Sequence, residues 1–304
     1  VVGIVLGVYI GTIVLLNIPN IQQAMSVFVA EELSEVLNTK VVIGRINMGL
    51  LNRIIIDDVL LDDQSGQEML KVTRLSAKFD IMPFFKGKIS ISSVQLFGFN
   101  INLRKETPDS PPNFKFVLDA FASKDTVKKE NSLDLRINSI LIRRGRMSYH
   151  VLSEEETPGK FNAKHIQLQN IIANISLKAL SKDSLNLGIK RLSLDEKASG
   201  FSLKKMSLKL VANNKQTNID NFTIELPETS LKLDTIHLEY DSLKAFDRFT
   251  EQVHFSFRTL PSQVTLKDIS PFVPILSHFK EPVTLDMEVK GTVDQLTCSH
   301  LEIT

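Results

Sequence analysis

Apolar and polar residues alternate along most of this chain, and the alternation carries a recurring defect. In Ile189-Lys-Arg-Leu192-Ser-Leu194, Leu203-Lys-Lys-Met206-Ser-Leu208, Ile219-Asp-Asn-Phe222-Thr-Ile224 and Leu233-Asp-Thr-Ile236-His-Leu238, two polar residues separate the first pair of apolar ones. Looser copies occur at Ile56-Asp-Asp-Val59, Val72-Thr-Arg-Leu75, Ile91-Ser-Ser-Val94-Gln-Leu96 and Ile137-Asn-Ser-Ile140. Turn-forming residues fall between the units, at Ser199-Gly200, Asn213-Asn214 and Pro227-Glu228, so the polar pairs lie mid-strand rather than in hairpin loops. Positions i and i+3 of a regular strand face opposite sides. Keeping both apolar residues on one side requires a one-residue bulge in each strand. Bulges repeated at one level of successive antiparallel strands would curl a sheet. The fold class this predicts is mainly β: a repeating antiparallel β-groove over residues 40–304, taco-like, with an apolar concave face. A short repeat also argues for a quasi-one-dimensional architecture. On this reading Leu192, Leu194, Leu203, Met206, Leu208, Phe222, Ile224, Ile236 and Leu238 line the concave face.

The pattern changes at the amino terminus, where Val1 to Ile18 carries no charged residue. As a helix it would span roughly 27 Å, close to the roughly 30 Å hydrocarbon thickness of a bilayer. A transmembrane signal anchor is therefore expected over 1–18, with a few upstream residues missing because Val1 is not an initiator Met. The first Lys or Arg is Lys40, whereas Glu31, Glu32 and Glu35 are acidic. The positive-inside rule then places the bulk of the chain on the non-cytoplasmic side. A cleaved signal peptide is the alternative, but its small-x-small site, Ala24-Met25-Ser26, lies beyond Pro19 and past the apolar stretch. Gly3, Gly7 and Gly11 form a GxxxGxxxG stripe that permits close helix packing in lipid.

One helical pattern precedes the strands and two interrupt them. Residues 19–39 read as an amphipathic helix capping the sheet, opened by Pro19 and bearing Ile21, Met25, Phe28, Val29, Leu33, Val36 and Leu37. An insert near 113–122 follows Pro111-Pro112, with Asn113 as its expected cap and Phe114, Val117, Leu118 and Phe121 on one side. Another, near 270–280, starts at Ser270-Pro271 and carries Phe272, Val273, Leu276 and Phe279. Each insert would plug the groove or cover a sheet edge.

Composition narrows the partners. Lys+Arg of 36 against Asp+Glu of 35 gives a net charge of +1 with the signs interspersed, so there is no electrostatic footprint for nucleic acid. The single cysteine, Cys298, forms no intramolecular disulfide, and 18 Phe with no Trp and 3 Tyr suggest an apolar surface meant for something other than protein. No GxSxG, Walker-type loop or HExxH occurs, and His150, His165, His237, His254, His278 and His300 show no ligand spacing. The densest carboxylates, Asp57-Asp58 and Asp62-Asp63, read as solvated edge or turn charges, because neighbouring strand residues point to opposite faces. No enzyme, cofactor or metal is expected.

The run from the anchor through IPNIQQAM, LNTKVVIGRINMGLLNRIIIDDVLLDDQSGQEMLKVTRLSAKFD, NFKFVLDAFASKD, LDLRINSILIRRGRMSYHV, DISPFVPILSHFKEP and VTLDMEVKGTVDQLT resembles the amino-terminal portion of the TamB/AsmA-like family, in the style of its Bacteroidota members. The resemblance covers nearly the whole chain. Its specific part is the joint order of anchor, helix, valine-rich IG-R strand and repeating strands, since no one motif is a catalytic fingerprint. It implies a single-pass inner-membrane protein with its bulk in the periplasm and a role in outer-membrane biogenesis. That role includes carrying phospholipid across the periplasm and, in the translocation-and-assembly-module setting, working with an outer-membrane partner of the Omp85 type. Family members are usually longer and end in a carboxy-terminal domain that docks this partner. Nothing in these 304 residues resembles that domain.

Two functions of different class follow. As a lipid conduit, the sheet would hold acyl chains on its apolar face while headgroups stay in water. At about 0.8 kcal/mol per CH₂, exposing a sixteen-carbon chain to water costs on the order of 12 kcal/mol, which a continuous apolar track largely removes. As a scaffold for secreted or outer-membrane proteins, a sheet edge would pair with incoming strands. A β-sandwich with its apolar faces sealed together is the blander architecture.

Overall fold

The computed structural model describes residues 17–49, 52–79, 91–122, 138–180 and 184–304, together with Gly7, Gly11 and Val14. The described chain is mainly β, with strands β1 (Val41–Gly49), β2 (Arg53–Asp62), β3 (Glu68–Phe79), β4 (Ile91–Lys105), β5 (Ser139–Val151), β6 (His165–Leu180), β7 (Ser184–Glu196), β8 (Ser202–Asn213), β9 (Gln216–Glu225), β10 (Ser230–Glu239), β11 (His254–Arg258), β12 (Ser262–Val264), β13 (Val283–Gly291) and β14 (Leu296–Ile303). They hydrogen-bond in chain order as far as β11, followed by β13 and β12, with β14 on β13. Internal packing divides the chain into two compact units, Val1–Glu156 with Ala163–Gln169, and Thr157–Asn162 with Asn170–Thr304.

In the first unit the helix Pro19–Leu37 packs on β1. It stops short of residue 39 because Asn38 turns left-handed, at φ 50, and returns its N–H to the carbonyl of Glu35. Leu37 joins Val41, Ile43, Ile46, Leu61 and Met69 in a buried core, flanked by Met25, Val29, Ala30 and Leu33 of the helix. The insert is helical over Lys115–Ala122, and Phe114, Phe116, Val117 and Ala120 press on the same core. Leu118, expected on the packed side, is exposed. Nor does Asn113 cap this helix: its side chain accepts from the Arg104 N–H at 3.0 Å and donates to Asp63 at 3.2 Å and to the Asn102 carbonyl at 3.0 Å.

β4 and β5 run parallel, which departs from the all-antiparallel sheet expected from the repeats. The connection between them carries the Lys115–Ala122 helix, and such a crossover returns the chain in the same direction where a tight hairpin would reverse it.

The polar pairs of the four close repeats, and Asp57-Asp58 and Thr73-Arg74 among the looser copies, lie mid-strand, as the turn chemistry indicates. Ser92-Ser93 and Ser139 fall instead at the starts of β4 and β5, and Ile137 lies outside the described residues. In the first unit Asp57-Asp58 and Thr73-Arg74 meet as matched kinks. Ile43 stands opposite Val59 and Ile46 opposite Ile56, with Gly44-Arg45 and Asp57-Asp58 between them and the register unchanged. Ile43, Ile46 and Ile56 nevertheless share one core, so the kink does bring an i, i+3 pair to one face. Asp58 sits at φ 55, Gly98 at φ 65 and Arg144 at φ 55, the left-handed conformation that marks many bulges. Gly98 is opposite Thr73 in this kink row, and a Cβ there would lie 2.7 Å from the threonine hydroxyl.

One carboxylate of each acidic doublet is structural, where both doublets were expected to be solvated. Asp57 pairs with Arg74 at 2.6 Å. Asp63, whose side chain is 2% exposed, pairs with Arg104 at 2.6 Å and organises the turn into β3, accepting from the N–H of Ser65 at 2.9 Å and of Gln67 at 3.1 Å. Burial alone would raise its carboxyl; the hydrogen bonds from Ser65, Asn113 and Gln67 outweigh that and hold it below the usual aspartate range.

The second unit holds its own short helices. Near 270–280 the segment forms the 3-10 turn Pro274–His278, preceded by another at Leu266–Ile269, in place of one continuous helix. Phe272 meets Phe161 and Phe201 at ring separations of 4.9 and 5.0 Å. A 3-10 segment at Leu243–Arg248, which the sequence pattern does not predict, sets Ala245 beside Tyr240 and Val253 in a small core.

Among the described residues no helix is long and apolar enough to cross a membrane. Gly7, Gly11 and Val14 are helical and exposed; Gly3 and most of the expected 1–18 anchor lie outside the described residues.

Candidate functional site

Bulges of the kind expected from the repeat occur in β7 and β8 at their polar pairs and in β9 one residue on, at Asn221-Phe222, whereas β10 pairs with β9 without a register shift. Ile189 is opposite Leu208 and Leu192 opposite Met206, so Lys190-Arg191 stand against Ser207 alone. Leu194 is opposite Leu203, which sets Lys204-Lys205 against Ser193. Ser207 is opposite Thr223 and Lys209 opposite Asp220, leaving Asn221 and Phe222 against Leu208. Asn221 is left-handed at φ 54. Two residues against one is the defining count of a bulge, and it restores to one face the apolar residues that an i, i+3 spacing would split.

Three rows of apolar side chains result. Met206, Leu208 and Leu210 follow at two-residue steps along an unbroken part of β8, so they share a face. Directly paired residues share that face as well. Leu192, Met206, Ile224 and Leu231 form one row across β7 to β10. Ile189, Leu208, Phe222 and Leu233 form the next, through the bulge. Leu187, Leu210, Ile219 and Ile236 form the third.

All nine residues expected to line the groove are half-buried, none fully buried and none fully exposed. Eight of them belong to this patch: the pair Leu194 and Leu203 extends it beyond the bulge, and Met206, Leu208, Leu192, Phe222, Ile224 and Ile236 make its body. Leu238 differs. It packs against the Tyr240, Ala245 and Val253 core, so the Leu243–Arg248 segment closes the face at that end. The residues expected to line the groove leave out Leu187, Leu210 and Leu231, which cross-strand register adds. Ile189, Ile219 and Leu233, the leading apolar residues of their repeat units, join the same rows, Leu233 being buried at 8% exposure.

Charge is kept off the apolar rows: Lys209, between Leu208 and Leu210, lies on the opposite face. Lys190, Arg191, Lys204 and Lys209 are exposed, and Lys205 pairs with Glu225 at 3.2 Å. Asp195 accepts from Asn170 at 2.8 Å and Ser202 at 2.5 Å. These bonds, Asn170's foremost, hold its carboxyl below the usual range. The arrangement offers no paired acid and base. What it offers is an apolar surface across four strands, half-buried except at the buried Leu233, suited to an elongated apolar ligand.

No protein-family model matches the chain, and comparison with curated proteins returns no match. The likeness to the TamB/AsmA-like family therefore rests on the residues quoted for it.

Proposed function

We propose that this protein is an outer-membrane biogenesis factor that carries phospholipid between the inner and outer membranes along an apolar β-face. The single observation behind this reading is the half-burial of Leu192, Met206, Leu208, Phe222, Ile224 and Ile236 on four registered strands. Residues sealed beneath a second sheet would be fully buried. Half-burial instead fits a surface that finishes its desolvation on a ligand, and an acyl chain is the elongated apolar ligand with the most to gain. The uncharged opening and the acidic, lysine-free stretch before Lys40 fit an inner-membrane anchor with the sheet in the periplasm.

Photo-crosslinking in cells tests this reading. A photoreactive residue at Met206 or Leu208 should capture phospholipid, whereas one at the exposed Lys209 should not. Equal capture at all three positions, or none, would overturn it.

A second reading, a scaffold for outer-membrane or secreted protein acting with an Omp85-type partner, draws on β14. Every residue of this strand is exposed, and among the described residues it pairs with β13 alone, which suits addition of an incoming strand. Crosslinks from Leu301 or Ile303 to client strands, without lipid capture at Met206, would favour it.

A further inference from the structure

Two histidines without ligand spacing in the sequence meet in space. His150 lies near the end of β5 and His165 at the start of β6. Their Nδ1 atoms are 3.0 Å apart. The ends of the connection are drawn together by the Val151 N–H donating to the Lys164 carbonyl at 2.9 Å. From within this connection Glu156 brings a carboxylate oxygen to 3.9 Å from His150 Nδ1. One donor atom from each of the three residues lies within 4.8 Å of the others, and all three belong to the first unit.

The hydrogen bonds fix the protons. His165 is buried, at 7% exposure, and its Nε2 lies 2.9 Å from the backbone carbonyl of Glu154. A carbonyl only accepts, so Nε2 carries the proton and Nδ1 presents a lone pair. That is the tautomer a metal-binding histidine requires, and a backbone carbonyl on the remote nitrogen is its usual orienting partner. His150 Nδ1 donates to His165 Nδ1 in this arrangement; moving that proton to Nε2 of the same ring exposes a second lone pair. Glu156 supplies an anionic third donor. The Glu154 carboxylate is engaged by Lys164 at 2.7 Å and is not needed.

We propose that His150, His165 and Glu156 bind one divalent transition-metal ion of the zinc class. Bonds of about 2.0–2.1 Å at tetrahedral angles place neighbouring donors roughly 3.3 Å apart. The separations of 3.0 and 3.9 Å bracket that distance, and Glu156, on an exposed loop, can close the difference by a rotamer change. Two imidazoles and one carboxylate suit zinc over calcium or magnesium, which favour all-oxygen shells. Water completes the fourth position. The ion fastens the β5–β6 connection, a role independent of lipid carriage.

Titration of the full chain with Zn²⁺ tests this, using a Cys298→Ser background so that the exposed thiol does not compete. One equivalent should bind and raise the melting temperature. Co²⁺ in its place should give the visible absorption of a four-coordinate site. His150→Ala should abolish this binding, and Glu156→Gln should weaken it by at least about tenfold, the scale on which even outer partners of a metal ligand act. Glu156 is solvent-exposed, so its variant stays folded and decides the matter if His150→Ala does not. No binding by the starting protein, binding unchanged in both variants, or binding lost instead with His237→Ala or His300→Ala would overturn the proposal. None of these results bears on lipid capture at Met206.

Discussion

Gly44 on β1 faces Asp58 on β2, and a Cβ on Gly44 would stand 2.9 Å from the Cβ of Asp58 and 3.2 Å from the Asp57 carbonyl. The glycine is what lets the two kinked strands close on each other while Ile43 and Ile46 stay in one core. Gly44→Ala should therefore cost about 1–3 kcal/mol through overpacking. Asp58→Gly should be neutral or stabilising, because φ 55 suits glycine. Denaturant unfolding of both single variants and the double variant checks this. Gly44→Ala should cost clearly less in the Asp58→Gly background, and strict additivity would contradict the contact.

Acid should weaken the first unit through Asp63. Its folded carboxyl lies below the ordinary value of 3.8, so its stabilising contribution is fully present above that value. It is lost as pH falls through the folded pKa. Urea unfolding between neutral pH and the carboxylate range should show this loss, and Asp63→Asn should be less stable at neutral pH with a shallower acid slope. An unchanged slope would mean that other carboxylates set the acid limit.

Cys298 is the only cysteine and is exposed, so topology can be read without engineered thiols. A thiol reagent that cannot cross the inner membrane should label it once the outer membrane is permeabilised. Labelling only after inner-membrane lysis would reverse the orientation.

The local fold is legible where it depends on pattern within a strand. The polar pair at Asp220-Asn221 interrupts alternation visibly, and its bulge follows from keeping Ile219 and Phe222 on one face. Features set by distant segments are not legible. The parallel pairing of β4 and β5 depends on where the Lys115–Ala122 helix returns the chain. Leu238 has the pattern of its neighbours but is covered because the residues after Tyr240 fold back over it. Asn113 has the sequence position of a helix cap, yet Asp63, fifty positions earlier, claims its side chain. His150 and His165 meet only because the β5–β6 connection closes, which residue spacing does not encode.

Phe222 lies at the centre of the apolar rows, half-buried beside a bulge, and its replacement by glutamate separates an open lipid-bearing face from a sealed one. Phospholipid that co-purifies with the chain is counted for the starting protein and for Phe222→Glu, alongside the unfolding free energy of each. On an open face the carboxylate reaches water, so the variant should lose only about 1–2 kcal/mol while its bound phospholipid falls severalfold, because charge interrupts the track. Loss of about 3–5 kcal/mol or outright unfolding, or a starting protein that carries no phospholipid, would contradict the conduit.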